Sequence, residues 1–445
     1  MELVATINPK PAKKMEHIPD TGLKRVVIIG GGFAGLKLAK RLSRRHFQVV
    51  LIDRNNYHQF QPLMYQVATA ALEPASIAFP YRKVFQHIPN THIRVADVLS
   101  IHPESHRVET SIGNIAYDYL VLATGTDTNY FGMDNIRQYA LPMKSVAEAL
   151  ALRNYLLQTF EAALNAQDPI ERQAMLNIAI VGGGPTGVEL AGALAEMKHF
   201  TLPKDYPELN FSEMQVHLFE AAGRVLETME NPSSQSALNY LRELGVAVHL
   251  DAKVKDYDGL AVYTTDGMAY PCRTLIWAAG VRAVVPEGLP EDVFGPGGRI
   301  KVDAHNAVAN LPGIYALGDC AFMTEEKYPK GHPQVAPVAI QQAELLADNL
   351  ERREKGLDQR TFKYAHKGAM ATIGRNKAVV DLPAGIRFNG FFAWAVWLFV
   401  HIMSIVGVKN RLFIFINWAV SYFTYDQSLR LMLKPGFRAP RENNL

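Results

Sequence analysis

The sequence predicts an α/β protein of two Rossmann-like domains followed by a C-terminal helical region, and three observations carry that reading. Residues 24–42, KRVVIIGGGFAGLKLAKRL, set a β-branched run against a glycine cluster and then a helical pattern, the order strand, tight turn, helix. The same order returns at residues 176–194, LNIAIVGGGPTGVELAGAL. From Phe388 to Tyr425 the chain turns unusually aromatic.

The 445 residues are enough for two or three domains, and 48 % apolar with 20 % charged residues is the composition of an ordinary folded chain. Lys and Arg total 46 against 43 Asp and Glu, a net charge of +3 that is too small for a nucleic-acid binder. The two cysteines, Cys272 and Cys320, stand far apart without a CxxC and read as reduced thiols. No metal site is expected. Residues 1–22 are polar, lack the apolar run of a secretory signal and are expected to form a loose tail.

In the first unit Gly30, Gly32 and Gly35 have GxGxxG spacing. The first permits the turn, the second lets backbone approach a pyrophosphate, and the third lets helix pack on strand, with the helix dipole facing the phosphates. The strand FQVVLID ends in Asp53, eighteen residues past Gly35, where a carboxylate accepts ribose hydroxyls. Gly182, Gly184 and Gly187 repeat the spacing, and their acidic partner is Glu220, at the end of the strand QVHLFE and beyond a polar insertion. A carboxylate there repels the 2′-phosphate of NADPH and predicts NADH, a preference that nearby Arg224 could soften.

Two dinucleotide units without a second redox protein call for an electron carrier between substrates, and the simplest division is FAD first and NADH second. The strands YDYLVLATG and RTLIWAAG end at Ala123, Thr124 and Gly125 and at Ala279 and Gly280, where a nucleotide domain hands the chain on. In GIYALGDCA, Asp319 suits the ribityl or pyrophosphate part of a flavin. The expected FAD contacts are Gly30, Gly32, Phe33, Ala34, Gly35, Asp53, Arg54, Val98, Ala123, Thr124, Gly125 and Asp319; those for NADH are Gly182, Gly184, Pro185, Thr186, Gly187, Glu220, Ala279 and Gly280.

GGGFAGL with Asp53, YHQFQPLMYQVATAALEP, YDYLVLATG, GGGPTGVELAGALAE, ALGDCA and RLFIFINWAVSYFTYD together resemble the type II NADH:quinone oxidoreductases over about residues 24–435. The glycine motifs and ALGDCA belong to a wider flavoprotein superfamily; QFQPLMYQVATA and the aromatic tail are narrower signals. The resemblance implies non-covalent FAD, hydride transfer from NADH, two-electron reduction of a membrane quinone (ubiquinone or menaquinone) without proton pumping, and a homodimer. It assigns Glu189 to the region between nicotinamide and flavin. It places the quinone at Ala336, Pro337, Gln341 and Lys377, and makes Glu189, Gln341 and Lys377 the candidate catalytic residues. Pro337 stands where the family has a glutamine, which removes one polar side chain.

Residues 390–408 run nineteen positions without a formal charge, long enough for a membrane span, but KNR and a second apolar stretch, LFIFINWAV, follow. Interfacial helices flanked by Lys409 and Arg411 fit equally on physical grounds, and the resemblance favours them. The expected organisation is a tail (1–22), an FAD domain (23–145 and 290–345), an NADH domain (146–289) and a C-terminal region (346–445) whose amphipathic helices at 388–425 bind the membrane. The expected location is peripheral, on the cytoplasmic face of the inner or plasma membrane, and the lack of an Arg-rich transit peptide leans bacterial. Rival readings are a disulfide- or sulfide-oxidising flavoprotein, which needs a reactive cysteine pair; a ferredoxin reductase, which has no use for the tail; and a membrane-attached NADH-binding signalling protein.

Overall fold

A computed structural model describes residues 18–424 and 429–432; most of the expected N-terminal tail, and Tyr425 at the end of the aromatic stretch, lie outside the described residues. The chain forms two compact units. Residues 1–58, 79–127 and 281–366 make the first; residues 59–78, 128–280 and 367–445 make the second.

The first unit is built on a five-stranded parallel sheet in the order Ile314–Ala316, Tyr119–Leu122, β1 (Arg25–Ile29), β2 (Gln48–Asp53), Thr91–Val95. Apart from Arg25 and Asp53 at their ends, β1 and β2 are buried throughout, the continuous apolar signature of a sheet covered on both faces. The helix α1 (Phe33–Leu42) covers one face with Leu36, Leu38, Ala39 and Leu42. The helix Ala336–Glu354 packs along α1, where Lys37 pairs with Glu344 at 2.7 Å and Arg45 pairs with Asp348 and Glu351. An antiparallel meander, Val98–His102, Arg107–Thr110 and Gly113–Ala116, completes the unit and buries Ile101, Val108 and Ile115 in its core.

The second unit repeats this plan. Its parallel sheet runs Leu141–Pro142, Thr274–Trp277, β3 (Ile178–Val181), β4 (Val216–Phe219), Val246–His249. The helix α2 (Pro185–Glu196) follows β3, and a second antiparallel meander spans Val254–Tyr257, Ala261–Thr264 and Ala269–Pro271. The α/β class, the two Rossmann-like sheets and the helical C-terminal region are therefore as the sequence predicts.

To this plan the second unit adds a C-terminal layer: a three-stranded antiparallel sheet (Ala369–Thr372, Ala378–Asp381, Arg387–Asn389) and the helices α3 (Gly390–Ser404) and α4 (Val408–Thr424). Buried Asp381 ties the sheet to the helix Asn231–Glu243, accepting the Glu230 N–H at 2.8 Å and the Ser233 hydroxyl at 2.5 Å. The uncharged run at 390–408 is not one helix. It breaks after Ser404, and fifteen residues at ~1.5 Å each reach only about 22 Å, short of a ~30 Å hydrocarbon core. Among the described residues no helix is long and apolar enough to cross a membrane.

Candidate functional site

In the first unit the glycine loop is held from three sides. Gly30, at φ +95°, donates its N–H to the Ile52 carbonyl at 2.8 Å, and a Cβ on Gly35 would lie 1.8 Å from the Gly30 carbonyl oxygen. The middle residue, Gly31, donates its N–H to Asp53 Oδ2 at 2.7 Å, while its carbonyl lies 3.0 Å from His58 Nδ1. Tyr81 closes the third side: its hydroxyl donates to Asp53 Oδ2 at 3.1 Å, and a Gly31 Cβ would sit 2.2 Å from that hydroxyl. Burial raises the Asp53 carboxyl above its ordinary pKa, opposed by the N–H groups of Gly31 and Asn55 and by Tyr81. Burial also takes the His58 imidazole down to about 4, so it is neutral at pH 7.

Gly32 faces open space at the start of α1, which has no side-chain cap. An uncapped helix end, a cradle bare of side chains and a carboxylate that keeps one lone pair on Oδ1, beyond the Asn55 N–H it accepts at 2.7 Å, fit the pyrophosphate and ribose of FAD. Phe33 and Ala34 open α1, Ala123 is buried, Gly125 has φ +70°, and the Thr124 hydroxyl donates to the Val284 carbonyl at 2.5 Å. Val98 packs against the meander core, and Arg54 is exposed. Asp319 lies in the turn after Gly318, whose N–H donates to buried Gln342 at 2.7 Å.

The second loop reproduces the first. Gly182 (φ +111°) donates to the Phe219 carbonyl at 2.8 Å, and a Gly187 Cβ would lie 1.9 Å from the Gly182 carbonyl oxygen. The Gly183 N–H donates to Glu220 Oε2 at 2.5 Å, and the Ala222 N–H to the other carboxylate oxygen at 2.8 Å. Gly184 faces open space, α2 has no side-chain cap, and Pro185 begins the helix where a missing N–H costs nothing. Pro185 and Thr186 are exposed, and Ala279 leads to Gly280 at φ +72°. This arrangement fits the pyrophosphate and ribose of NADH. Arg224 is bonded to Asn231 and the Glu227 carbonyl, so its guanidinium is already committed.

Glu189, one turn into α2, is 7 % exposed. Burial pushes its carboxyl up to about 8, and the Thr372 N–H and the Trp397 indole oppose the rise. The Trp397 approach falls short of full hydrogen-bond geometry, leaving that indole nitrogen a buried donor without a partner. Lys377 ion-pairs with Glu243 at 2.6 Å over the Tyr240 ring. Gln341 belongs to the first unit, where its side chain donates to the Ala365 carbonyl (2.9 Å) and accepts the Ala365 N–H (3.0 Å). Ala336 and Pro337 form the first turn of their helix, a position that tolerates proline. Both cysteines are buried and free, and burial raises both thiols, Cys272 to about 12, which removes the reactive pair a disulfide chemistry needs.

Sequence reasoning missed Gly31, Gly183, Tyr81 and Trp397. The middle glycine in each GGG, beyond what the GxGxxG spacing needs, was the available signal for the first two. It also left unexplained why QFQPLMYQVATA accompanies the aromatic tail. The Trp418 indole donates to Gln66 at 2.7 Å, Phe60 meets His401 edge-on, and just beyond the motif the Ser76 carbonyl accepts from Asn410 at 3.2 Å, so this segment seats the C-terminal helices.

Comparison with known proteins bears on this geometry. Residues 24–343 match the pyridine nucleotide-disulphide oxidoreductase family, and residues 366–424 match the NDH2 C-terminal domain. The chain is 35 % identical over 418 residues to the type II NADH:quinone oxidoreductase NdhA of Mycobacterium tuberculosis, covering 90 % of this chain and 87 % of that protein. The chain belongs to the type II NADH:quinone oxidoreductase family. As a member it is an oxidoreductase with FAD and NADH as cofactors. The mitochondrial internal alternative NAD(P)H-ubiquinone oxidoreductase A1 of Arabidopsis thaliana is 28 % identical over 95 % of this chain and 88 % of its own length. The fold matches NDH2 of Plasmodium falciparum in complex with NADH (TM-score 0.83, 21 % identity, 92 % of this chain and all of that one).

Two outcomes follow from the site of this type II oxidoreductase. Glu189→Gln should gain in Tm relative to the parent as pH rises. Folding holds the Glu189 proton between the ordinary 4.5 and about 8, so this contribution to stability is full below pH 4.5 and lost through pH 8. Parallel Tm curves for the two proteins from pH 5 to 9 would reject a buried protonated carboxyl. Glu220→Arg should lower the NADH-to-NADPH ratio of kcat/KM by roughly tenfold or more, about 1.4 kcal/mol. An unchanged ratio in steady-state kinetics would remove Glu220 from cofactor selection.

Proposed function

We propose that this chain oxidises NADH and delivers two electrons to a membrane quinone, ubiquinone or menaquinone, forming quinol without pumping protons. We further propose that it works as a homodimer, peripherally, on the cytoplasmic face of the inner or plasma membrane. The observation that carries the reading is Glu189, a carboxyl buried one turn into the helix that opens from the proposed NADH loop, where burial pushes it up to about 8. FAD, when bound, supplies the two-electron chemistry, accepting a hydride from NADH and reducing the quinone.

The chain's residues orient the nucleotides and manage protons. The Asp53 and Glu220 carboxylates fix the loops that receive the two pyrophosphates; Asp53 keeps one lone pair for ribose and Glu220 keeps two. A quinone takes up two protons with its two electrons, and a carboxyl that titrates near 8 both holds and releases a proton at cellular pH. Gln341, with its amide plane set by Ala365, keeps one N–H for a quinone carbonyl. Pro337 adds no polar contact, which leaves Gln341 to carry orientation at that turn. Lys377 is the second proposed proton source, its charge balanced by Glu243.

Membrane attachment is supported by what α3 and α4 leave outside. On α3, Ala393 and Trp397 are buried while Phe391, Phe392 and Phe399 are each at least 60 % exposed; on α4, Leu412, Phe413, Phe415 and Phe423 are exposed. A patch of large apolar side chains beside Lys409 and Arg411 suits a lipid interface.

The test is purified protein in detergent with NADH and a short-chain quinone, following NADH absorbance and the flavin spectrum, with NADPH as control. Rapid bleaching by NADH and reoxidation by quinone is expected. Bleaching without reoxidation would require another acceptor, and no bleaching would favour the signalling alternative. For the membrane, the triple variant Phe391→Ser, Phe392→Ser, Phe399→Ser removes roughly 2 kcal/mol of apolar burial per ring and should lower liposome binding by more than a hundredfold in a flotation assay. Undiminished flotation would place the anchor elsewhere.

A further inference from the structure

Glu189 is enclosed by elements from three places in the chain besides its own helix. The strand Ala369–Thr372 brings the Thr372 N–H, the helix Met64–Ala68 brings the Tyr65 phenol, and α3 brings the Trp397 indole. The surrounding ionisable groups are otherwise occupied. Tyr65 accepts from the Gln66 side chain at 2.9 Å. His401 lies one turn beyond Trp397, bonded to its carbonyl at 2.7 Å and stacked on its ring at 4.0 Å. Glu196, further along α2, accepts the Arg375 N–H at 2.5 Å, with Arg375 and Lys377 as its cations. Glu243 neutralises Lys377 from the helix Asn231–Glu243. Among the described residues no cation pairs with Glu189, so the carboxylate must be met by neutral donors.

Trp397 is 1 % exposed, and its Nε1–H, a donor with no accepting role, is buried without a partner at hydrogen-bond geometry. The acceptor it approaches is the Glu189 carboxyl. We propose that Trp397 is a positioning residue for Glu189, its indole N–H closing onto the carboxylate when the proton leaves, so that a donor carried on α3 stabilises the anion. A donor held for the charged form favours that form, and the indole therefore sets how readily Glu189 gives up its proton. The helix that supplies this donor also bears exposed Phe391, Phe392 and Phe399. The inference rests on the reading of Glu189 as a proton-holding group of the NADH:quinone reaction.

The test is Trp397→Phe, which keeps a ring and removes the N–H. In the FAD-loaded protein the protonated carboxyl of Glu189 is followed by infrared spectroscopy against pH, its band assigned by loss in Glu189→Gln. The midpoint, near 8 in the parent, should rise by about one pH unit in Trp397→Phe, tenfold in proton affinity. An unmoved midpoint overturns the proposal. A second measurement needs no altered tryptophan: indole emission of the parent should change through the same midpoint and lose that change in Glu189→Gln. Emission flat with pH in the parent also overturns it. Should the midpoint move in a protein that does not turn over NADH with quinone, the contact stands and the functional reading falls; normal turnover with an unmoved midpoint gives the reverse.

Discussion

Each half of the molecule depends on one hydrogen bond, from the middle glycine of a GGG loop to the carboxylate at the end of the neighbouring strand. Gly31 to Asp53 and Gly183 to Glu220 are the same latch, at 2.7 and 2.5 Å, and in both the register places the first glycine beside the acid. A charge-assisted bond from backbone N–H to carboxylate is among the stronger neutral–ionic contacts available. Without it, the loop loses the fixed path that keeps its helix end bare, and a bare helix end is what receives a phosphate. The third glycine is bound into the same constraint, since a side chain at Gly35 or Gly187 would collide with the carbonyl of the first.

That one solution appears twice, with the same order of four strands around it and an antiparallel meander in each unit, while the fifth, edge strand comes last along the chain in the first sheet (Ile314–Ala316) and first in the second (Leu141–Pro142), so the two loops are variations on one scaffold. The differences lie in what is added. The first loop is also gripped by His58 and Tyr81, which stiffen it, as suits the permanently held FAD proposed for it. The second has no such clamp from a tyrosine and histidine among the described contacts and is open at Pro185 and Thr186, as suits a substrate that must leave after each turnover.

Local patterns were legible in the sequence: the buried strands, the glycine spacing, and the acids placed by strand ends even where an insertion delayed Glu220. Contacts that bring distant segments together were not. Nothing periodic marks Tyr81 as a partner of Asp53, or Trp397 as the donor beside Glu189, because a single hydrogen bond between residues far apart in sequence leaves no repeat to read. Gln341 was assigned by resemblance, and its two hydrogen bonds to the Ala365 backbone show the side chain to be partly structural. The uncharged run at 390–408 left a span open on length alone, since the backbone turn after Ser404 is written only in a weak Ile-Val-Gly signal.

The seating of the C-terminal helices has a practical side. Their inner residues, Trp397, His401, Asn410 and Trp418, are fastened to the 60–76 segment or to the surroundings of Glu189, so they belong to the interior of the second unit as much as to its surface. The tail is therefore not a detachable module. Under the membrane attachment proposed above, a water-soluble form of this enzyme, for crystallisation or for use as an NADH-recycling catalyst, is to be sought by repainting the outward aromatic face and leaving the helices in place, because trimming them would open the carboxyl pocket to solvent.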